Sequence, residues 1–242
     1  MRSKDTAILI DAGISYRELA RRMGAAGLNP DSLDAVIISH GHNDHVRGIS
    51  SLCSKRDIPI FANRGTAVET KALREIPSGP IRRFTTGAAF SIGDMSIEPF
   101  PVPHDTAEPV GFVITDGRVK SCFATDLGSV TPDALISFSD CDVVVLESNY
   151  DVEMLLQGPY PEFLKARVNG PLGHLSNAAA AELIREIAHR GLKRLVLAHL
   201  SRTNNRPGLP LETVAKALGS GAPSVEVSLG WQDRAGELLT TG

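Results

Sequence analysis

Four side chains able to bind metal, His40, His42, Asp44 and His45, fall within six consecutive positions. They follow an apolar run, Leu33–Ser39, that reads as a buried strand, and precede a segment with helical spacing. Residues two apart on an extended chain point the same way, so His40 and His42 are placed to grip one ion. Asp44 and His45 lie past the turn, within reach of a second. Neutral imidazoles and a carboxylate suit zinc, manganese or iron far better than calcium. A single histidine at a strand end is ordinarily a satisfied polar residue, but four such side chains in six positions are not explained that way. The chain is therefore constrained to fold so that a strand end presents a loop of ligands.

Strand and helix signals alternate around this loop. Ala7–Asp11 reads as a strand ending in an acid, and Ser15 and Glu18 form a capping box opening a helix that closes near Gly24 or Gly27. Further helices are expected over Val46–Arg56 and Thr66–Glu75, with a strand at Ile58–Phe61 between them. From Ile81 to Ala124 only strands are expected, two of them joined by a hairpin turn at Asp116-Gly117. The later strands are Cys141–Glu147, Leu192–Ala198 and Val225–Leu229, and the later helices Asn177–Arg190, capped by Ser176, and Leu211–Leu218. Tyr150–Gly173, with three prolines, reads as short helices and a loop. No repeat, low-complexity tract or linker interrupts the 242 residues, so one domain over 1–242 is expected, an α/β fold of two packed sheets with helices outside.

Composition narrows the function classes. Twenty-five basic against 28 acidic residues give a net charge of −3, which argues against binding nucleic acid through a broad basic surface. Aromatic residues make up 5%, leaving few platforms for stacking bases. No apolar run approaches the ~20 residues of a membrane span and no signal-peptide core follows Met1, so no membrane partner is expected. Cys53, Cys122 and Cys141 form no CxxC pair and read as buried thiols of a cytoplasmic protein.

The motif resembles the HxHxDH signature of the metallo-β-lactamase superfamily of binuclear hydrolases, matched at His40, His42, Asp44 and His45. The rest of that pattern follows in chain order, each element at a strand end: Asp11 in Leu9–Gly13, His104 in Pro101–Asp105, Asp126 in Cys122–Gly128 and His199 in Leu197–Ser201. Taken singly, His104 also suits a turn, Asp126 a cap, and His199 a buried histidine bonded to backbone. The resemblance implies an αββα four-layer sandwich of two packed mixed sheets, holding two divalent ions, zinc or manganese with iron as an alternative. It implies His40, His42 and His104 on one ion, Asp44, His45 and His199 on the other, and Asp126 bridging. Asp44 would also position the attacking water, and Asp11 would orient the ligand loop.

Downstream segments narrow the likeness. Asp105–Pro109, Glu147–Leu155, Gly173–Asn177 and Ala198–Asn205 together resemble the YycJ-like, or WalJ, branch, related to tRNase Z and the β-CASP nucleases. The branch implies a metal-dependent exonuclease degrading DNA from a 5′ end, acting on duplex or single-stranded ends. His174 would protonate the departing 3′ oxygen, with Glu147 orienting it. The plainer readings are that His174 merely precedes the Ser176 cap and that Glu147 is a satisfied strand-end acid. Ser176 and Asn177, at a helix N-terminus, would offer backbone N–H groups to a phosphate, with Asn149, Asn204 and Asn205 along the groove or in turns. Relatives usually begin with a strand and a Gly/Ser-rich loop, whereas this sequence starts almost at Ala7, so either the start lies upstream or one edge strand is lacking, and the phosphate contacts of that loop are left open. His189, near Arg190 at a helix end, suits a surface role compensating the helix dipole.

Two bound dications with a bridging hydroxide would bring the protein close to neutral, and Arg47, Arg202 and Arg206 lie near the ligands in sequence, so the −3 does not exclude DNA. The alternatives are a small-molecule phosphodiesterase of the same superfamily, cleaving a cyclic or nucleotide phosphate, and a metal-binding regulator without turnover, which would need a defective ligand set. Thioesterase or lactamase chemistry is compatible with the ligands, but Gly173–Asn177 argues for phosphate.

Overall fold

The computed structural model describes residues 1–76, 81–189, 191–219 and 224–240. They form two compact units, Met1–Pro101 with Thr106–Gly117, and Val102–Asp105 with Arg118–Gly242.

The first unit is built on four parallel strands in chain order, β1 (Ile8–Ile10), β2 (Ala35–Ile37), β3 (Ile60–Ala62) and β4 (Ile81–Arg83). Antiparallel pairing, which makes a sheet mixed, is found instead among β5 (Phe90–Ile92), β6 (Met95–Pro101) and β7 (Val110–Thr115). The alternation of side chains along β2 decides what packs on each face. Val36 and Ile38 join Leu19, Ile49, Leu52, Ile60 and Leu73 under the helices. Ala35 and Ile37 join Ile97, Val110, Phe112 and Ile114 from the antiparallel strands, so two sheets pack face to face. Helix α1 (Tyr16–Ala25) starts where Ser15 Oγ accepts the N–H of Glu18 and ends just before Gly27, whose φ is 72°.

Two helices expected to be continuous are broken. Of Val46–Arg56 only Val46, the last residue of α2 (Asn43–Val46), and α3 (Ile49–Cys53) are helical, and Gly48 between them packs against the carbonyl oxygens of Ala12 and Ile14 with no room for a Cβ. Thr66–Glu75 divides into α4 (Arg64–Glu69) and α5 (Lys71–Arg74), because Thr70 is extended, with ψ 111°. At the expected hairpin, β7 ends at Thr115, whose Oγ1 accepts the N–H of Gly117, a residue with φ 84°.

The second unit carries the parallel strands β8 (Lys120–Ala124), β9 (Val143–Glu147), β10 (Arg194–Ala198) and β11 (Glu226–Leu229), adjacent in that order. Its helices are α6 (Pro132–Phe138), capped by Thr131, α7 (Val152–Gln157), α8 (Glu162–Val168), α9 (Asn177–Ile187) and α10 (Gly208–Leu218). The α7–α8 pair accounts for Tyr150–Gly173, whereas α6 was not anticipated. Helix α9 ends three residues before the expected limit at Arg190, a residue outside those described, and buries Ala180, Ala181, Leu183, Ile184 and Ile187. His189 is not a surface dipole partner: its Nε2 lies 3.1 Å from the Cys141 carbonyl and its Nδ1 accepts the N–H of Gly191, so it pins the turn before β10. No helix among the described residues is long and apolar enough to cross a membrane.

Candidate metal centre

Each unit gathers one group of ligand-type side chains at its strand ends. In the first, β2 runs through Ser39 into His40, and the chain then turns so that His42 caps the short helix carrying Asp44 and His45. Asp11, just beyond β1, organises this loop. Its Oδ1 accepts the Ser39 N–H at 2.8 Å, and its Oδ2 accepts the Ser39 hydroxyl and His45 Nδ1–H, each at 2.7 Å. The single hydroxyl proton of Ser39 is thereby committed, so His40 Nδ1–H donates to Ser39 Oγ, 3.0 Å away. Holding Nδ1 on an oxygen is how metal-binding histidines are oriented with Nε2 as the ligand. The His40 ring centroid lies 4.9 Å from that of His42 and 4.1 Å from that of His45. Asp44 keeps an exposed carboxylate, 3.8 Å from His45 Nε2. Gly13 permits the arrangement, since a Cβ there would overlap the Asp44 carbonyl.

In the second unit the fully buried Glu147, closing β9, is the hub. Its Oε1 accepts from His174 Nδ1 at 2.8 Å and from His199 Nδ1 at 2.7 Å. Its Oε2 accepts the N–H groups of Leu175 at 2.9 Å and Leu127 at 3.2 Å. Four bonds occupy the carboxylate, so Glu147 aims imidazoles rather than coordinating an ion. Burial alone would raise its pKa, but the bonds from His174 and His199 outweigh that and hold it below the usual carboxylate range. Burial alone would lower the His174 pKa, but Glu147 and the charge of Asp126 carry it above the ordinary histidine value.

Around this hub, Asp126, Glu147, His174 and His199 bring one potential ligand atom each within 4.8 Å of one another. Asp126 is 2% exposed, and its Oδ1 lies 3.6 Å from His104 Nε2 and 3.5 Å from His199 Nδ1. His104 donates Nδ1–H to the Gly173 carbonyl at 2.9 Å. Carboxylates among imidazoles whose Nδ1 atoms are held by oxygen fit a divalent transition metal. Asp11, Asp126 and His199 all adopt left-handed backbone, with φ of 59°, 60° and 56°. Such positions cost about 1–3 kcal/mol each and cluster at functional sites.

Four residues expected at the substrate groove also take part in bonds within the protein. Asn149 donates to the His199 carbonyl at 2.7 Å. Ser176 Oγ caps α9 through the Ala179 N–H. Asn177 Oδ1 accepts from Ser148 Oγ at 2.7 Å and from Asn205 Nδ2 at 2.9 Å. Asn204 is 1% exposed, its backbone bonded to Ser201 Oγ and the Asp151 N–H. The bonds of Asn149, Ser176 and Asn177 hold the backbone of the His174 and His199 loops, whereas the buried Asn204 Oδ1 has no hydrogen-bond partner among the described residues. Sequence reasoning also missed Ser39, whose place directly before His40 was its only signal, and the ion pair of Arg167 Nε with Asp105 Oδ2 at 2.5 Å, which spans 62 residues.

Residues 6–200 match the Beta-lactamase superfamily domain. The chain is 33% identical over 213 residues to the exodeoxyribonuclease YycJ of Bacillus anthracis, covering 87% of this chain and 80% of that protein. It is 32% identical over 237 residues to the exodeoxyribonuclease WalJ of Streptococcus pneumoniae, covering 96% and 88%. Its fold is that of the metallo-β-lactamase fold protein YhfI from Bacillus subtilis, with a TM-score of 0.70 at 19% identity over 95% of this chain and 86% of that one. The fold and its His/Asp clusters imply divalent metal ions. The chain belongs to the metallo-β-lactamase superfamily and, within it, to the family of the YycJ and WalJ exodeoxyribonucleases.

Proposed function

We propose that this protein is a metal-dependent exodeoxyribonuclease that hydrolyses phosphodiester bonds from the 5′ end of DNA, which places it in the cytoplasm with its substrate. The observation that carries the reading is the Glu147–His174 pair, a buried carboxylate holding one imidazole nitrogen at 2.8 Å. The identity to proteins named exodeoxyribonucleases supports DNA as the substrate.

The superfamily pattern assigns His40, His42 and His104 to one ion, Asp44, His45 and His199 to a second, and Asp126 to both, with zinc or manganese as the metal. Bound there, divalent ions would lower the pKa of water and neutralise phosphate charge. The residues of the chain supply the rest. Asp44 positions the attacking water. Glu147 fixes His174 by Nδ1, which leaves Nε2–H of the protonated ring as the acid for the departing 3′ oxygen. An alkoxide leaving a phosphodiester needs that proton near neutral pH.

The test is incubation with 5′-labelled duplex DNA and, separately, with bis-p-nitrophenyl phosphate, each with Mn²⁺ or Zn²⁺. Release of the 5′ label as a mononucleotide supports the reading. Hydrolysis of the small ester with DNA untouched sinks it in favour of a small-molecule phosphodiesterase.

A further inference from the structure

Strands β10 and β11 run parallel, and the chain leaves both at the same end, where ligands bind open parallel sheets. The segment after β10 begins at His199 and continues through Leu200, Ser201 and Arg202, and the segment after β11 is Gly230–Asp233. The Gly230 N–H bonds to the Leu197 carbonyl, and Gln232 Nε2 donates to the Leu200 carbonyl at 2.7 Å. Between them lies a cavity of about 250 Å³, lined by Arg202, Arg206, Pro207 and Trp231 among others.

Its chemistry is selective. Trp231 is the only tryptophan of the chain, half-buried, with the Arg234 guanidinium 3.8 Å from its ring centroid. Arg202 and Arg206 are exposed, and neither forms an ion pair among the described residues. Pro207 precedes the eleven-residue α10, so that helix directs its positive N-terminal end to the same place. Asp233 is the one acidic residue of the lining. An aromatic face beside two arginines and a helix N-terminus matches a group that is flat and apolar on one side and anionic on the other.

We infer that this cavity holds a nucleotide of the DNA strand, its base stacked on Trp231 and its phosphate met by Arg202 and Arg206. The inference rests on the exonuclease reading and adds to it a contact outside the metal ligands, one that a small phosphodiester does not need. Grip beyond the cleaved bond is what keeps a strand in register between successive cuts.

Because the chain has one tryptophan, its emission reports on this cavity directly. The metal-loaded protein is titrated with a phosphorothioate dT octamer, which resists hydrolysis, and in parallel with dTMP. Saturable quenching by the octamer is expected, with dTMP at least tenfold weaker. In the Arg202→Ala/Arg206→Ala variant the octamer midpoint rises about tenfold, the salt dependence of binding flattens by about two units of slope, and the ratio of DNA to bis-p-nitrophenyl phosphate hydrolysis falls by a similar factor. Unchanged emission in a protein that still degrades DNA overturns the cavity assignment and leaves the exonuclease reading standing. Equal midpoints for dTMP and octamer overturn the strand as occupant. Failure to bind or cut DNA at all overturns both.

Discussion

Glu147 Oε1 lies 2.7 Å from His199 Nδ1, and the same oxygen lies 2.8 Å from His174 Nδ1. One buried carboxylate therefore sets the direction of a residue assigned to metal and of a residue assigned to proton transfer. Glu147→Gln keeps the shape and removes the charge that both rings share. The expected result is metal affinity lower by about 10–100-fold, together with lost DNA cleavage. Metal analysis after dialysis, with circular dichroism to confirm the fold, checks it; unchanged metal content would mean that His199 needs no such partner.

Asp11 plays the matching part in the first unit, holding Ser39 and His45 through three bonds. Its φ of 59° is one that asparagine also adopts readily, so Asp11→Asn tests the charge without straining the backbone. Metal affinity should fall by about tenfold or more, with little change in melting temperature. Loss of the fold with metal affinity intact would assign Asp11 to stability alone.

The Ser148–Asn177–Asn205 cluster separates framework from substrate contact. Asn177 is 3% exposed and bonded through both side-chain atoms. Asn177→Ala should cost about 2 kcal/mol in unfolding free energy by leaving its partners unsatisfied. KM for DNA in the folded fraction should change less than twofold. A large rise in KM without destabilisation would return Asn177 to the groove.

The legibility of the site followed the distance between its parts. His40, His42, Asp44 and His45 are contiguous, and the strand that delivers them is a plain apolar run, so their chemistry could be read directly. His104, Asp126 and His199 sit alone at strand ends and gained meaning only from their order. The double grip of Glu147 joins positions 27 and 52 residues apart, and no local pattern encodes which imidazoles meet one carboxylate. The asparagines were ambiguous for a related reason: a loop asparagine has the same sequence context whether it faces solvent or closes a buried cluster. The broken helices at Gly48 and Thr70 likewise reflect packing against distant backbone and local extension, which override periodicity.

Net charge gives a further expectation. With a formal charge of −3, the chain is expected to draw most of its attraction for phosphate from bound ions, with Arg202 and Arg206 adding a smaller share. Chelator-treated protein should bind DNA at least about tenfold more weakly than the loaded form at matched ionic strength. Equal affinity in a filter-binding or anisotropy titration would move the main phosphate contact away from the metal ligands.

The most direct test of the account is His174→Ala, assayed for metal stoichiometry and for release of 5′ label from duplex DNA. If His174 supplies the proton, cleavage falls by about 10²–10⁴-fold while metal content equals that of the unaltered protein. Loss of metal together with cleavage, or cleavage at an unaltered rate, would contradict the role assigned to the Glu147–His174 pair.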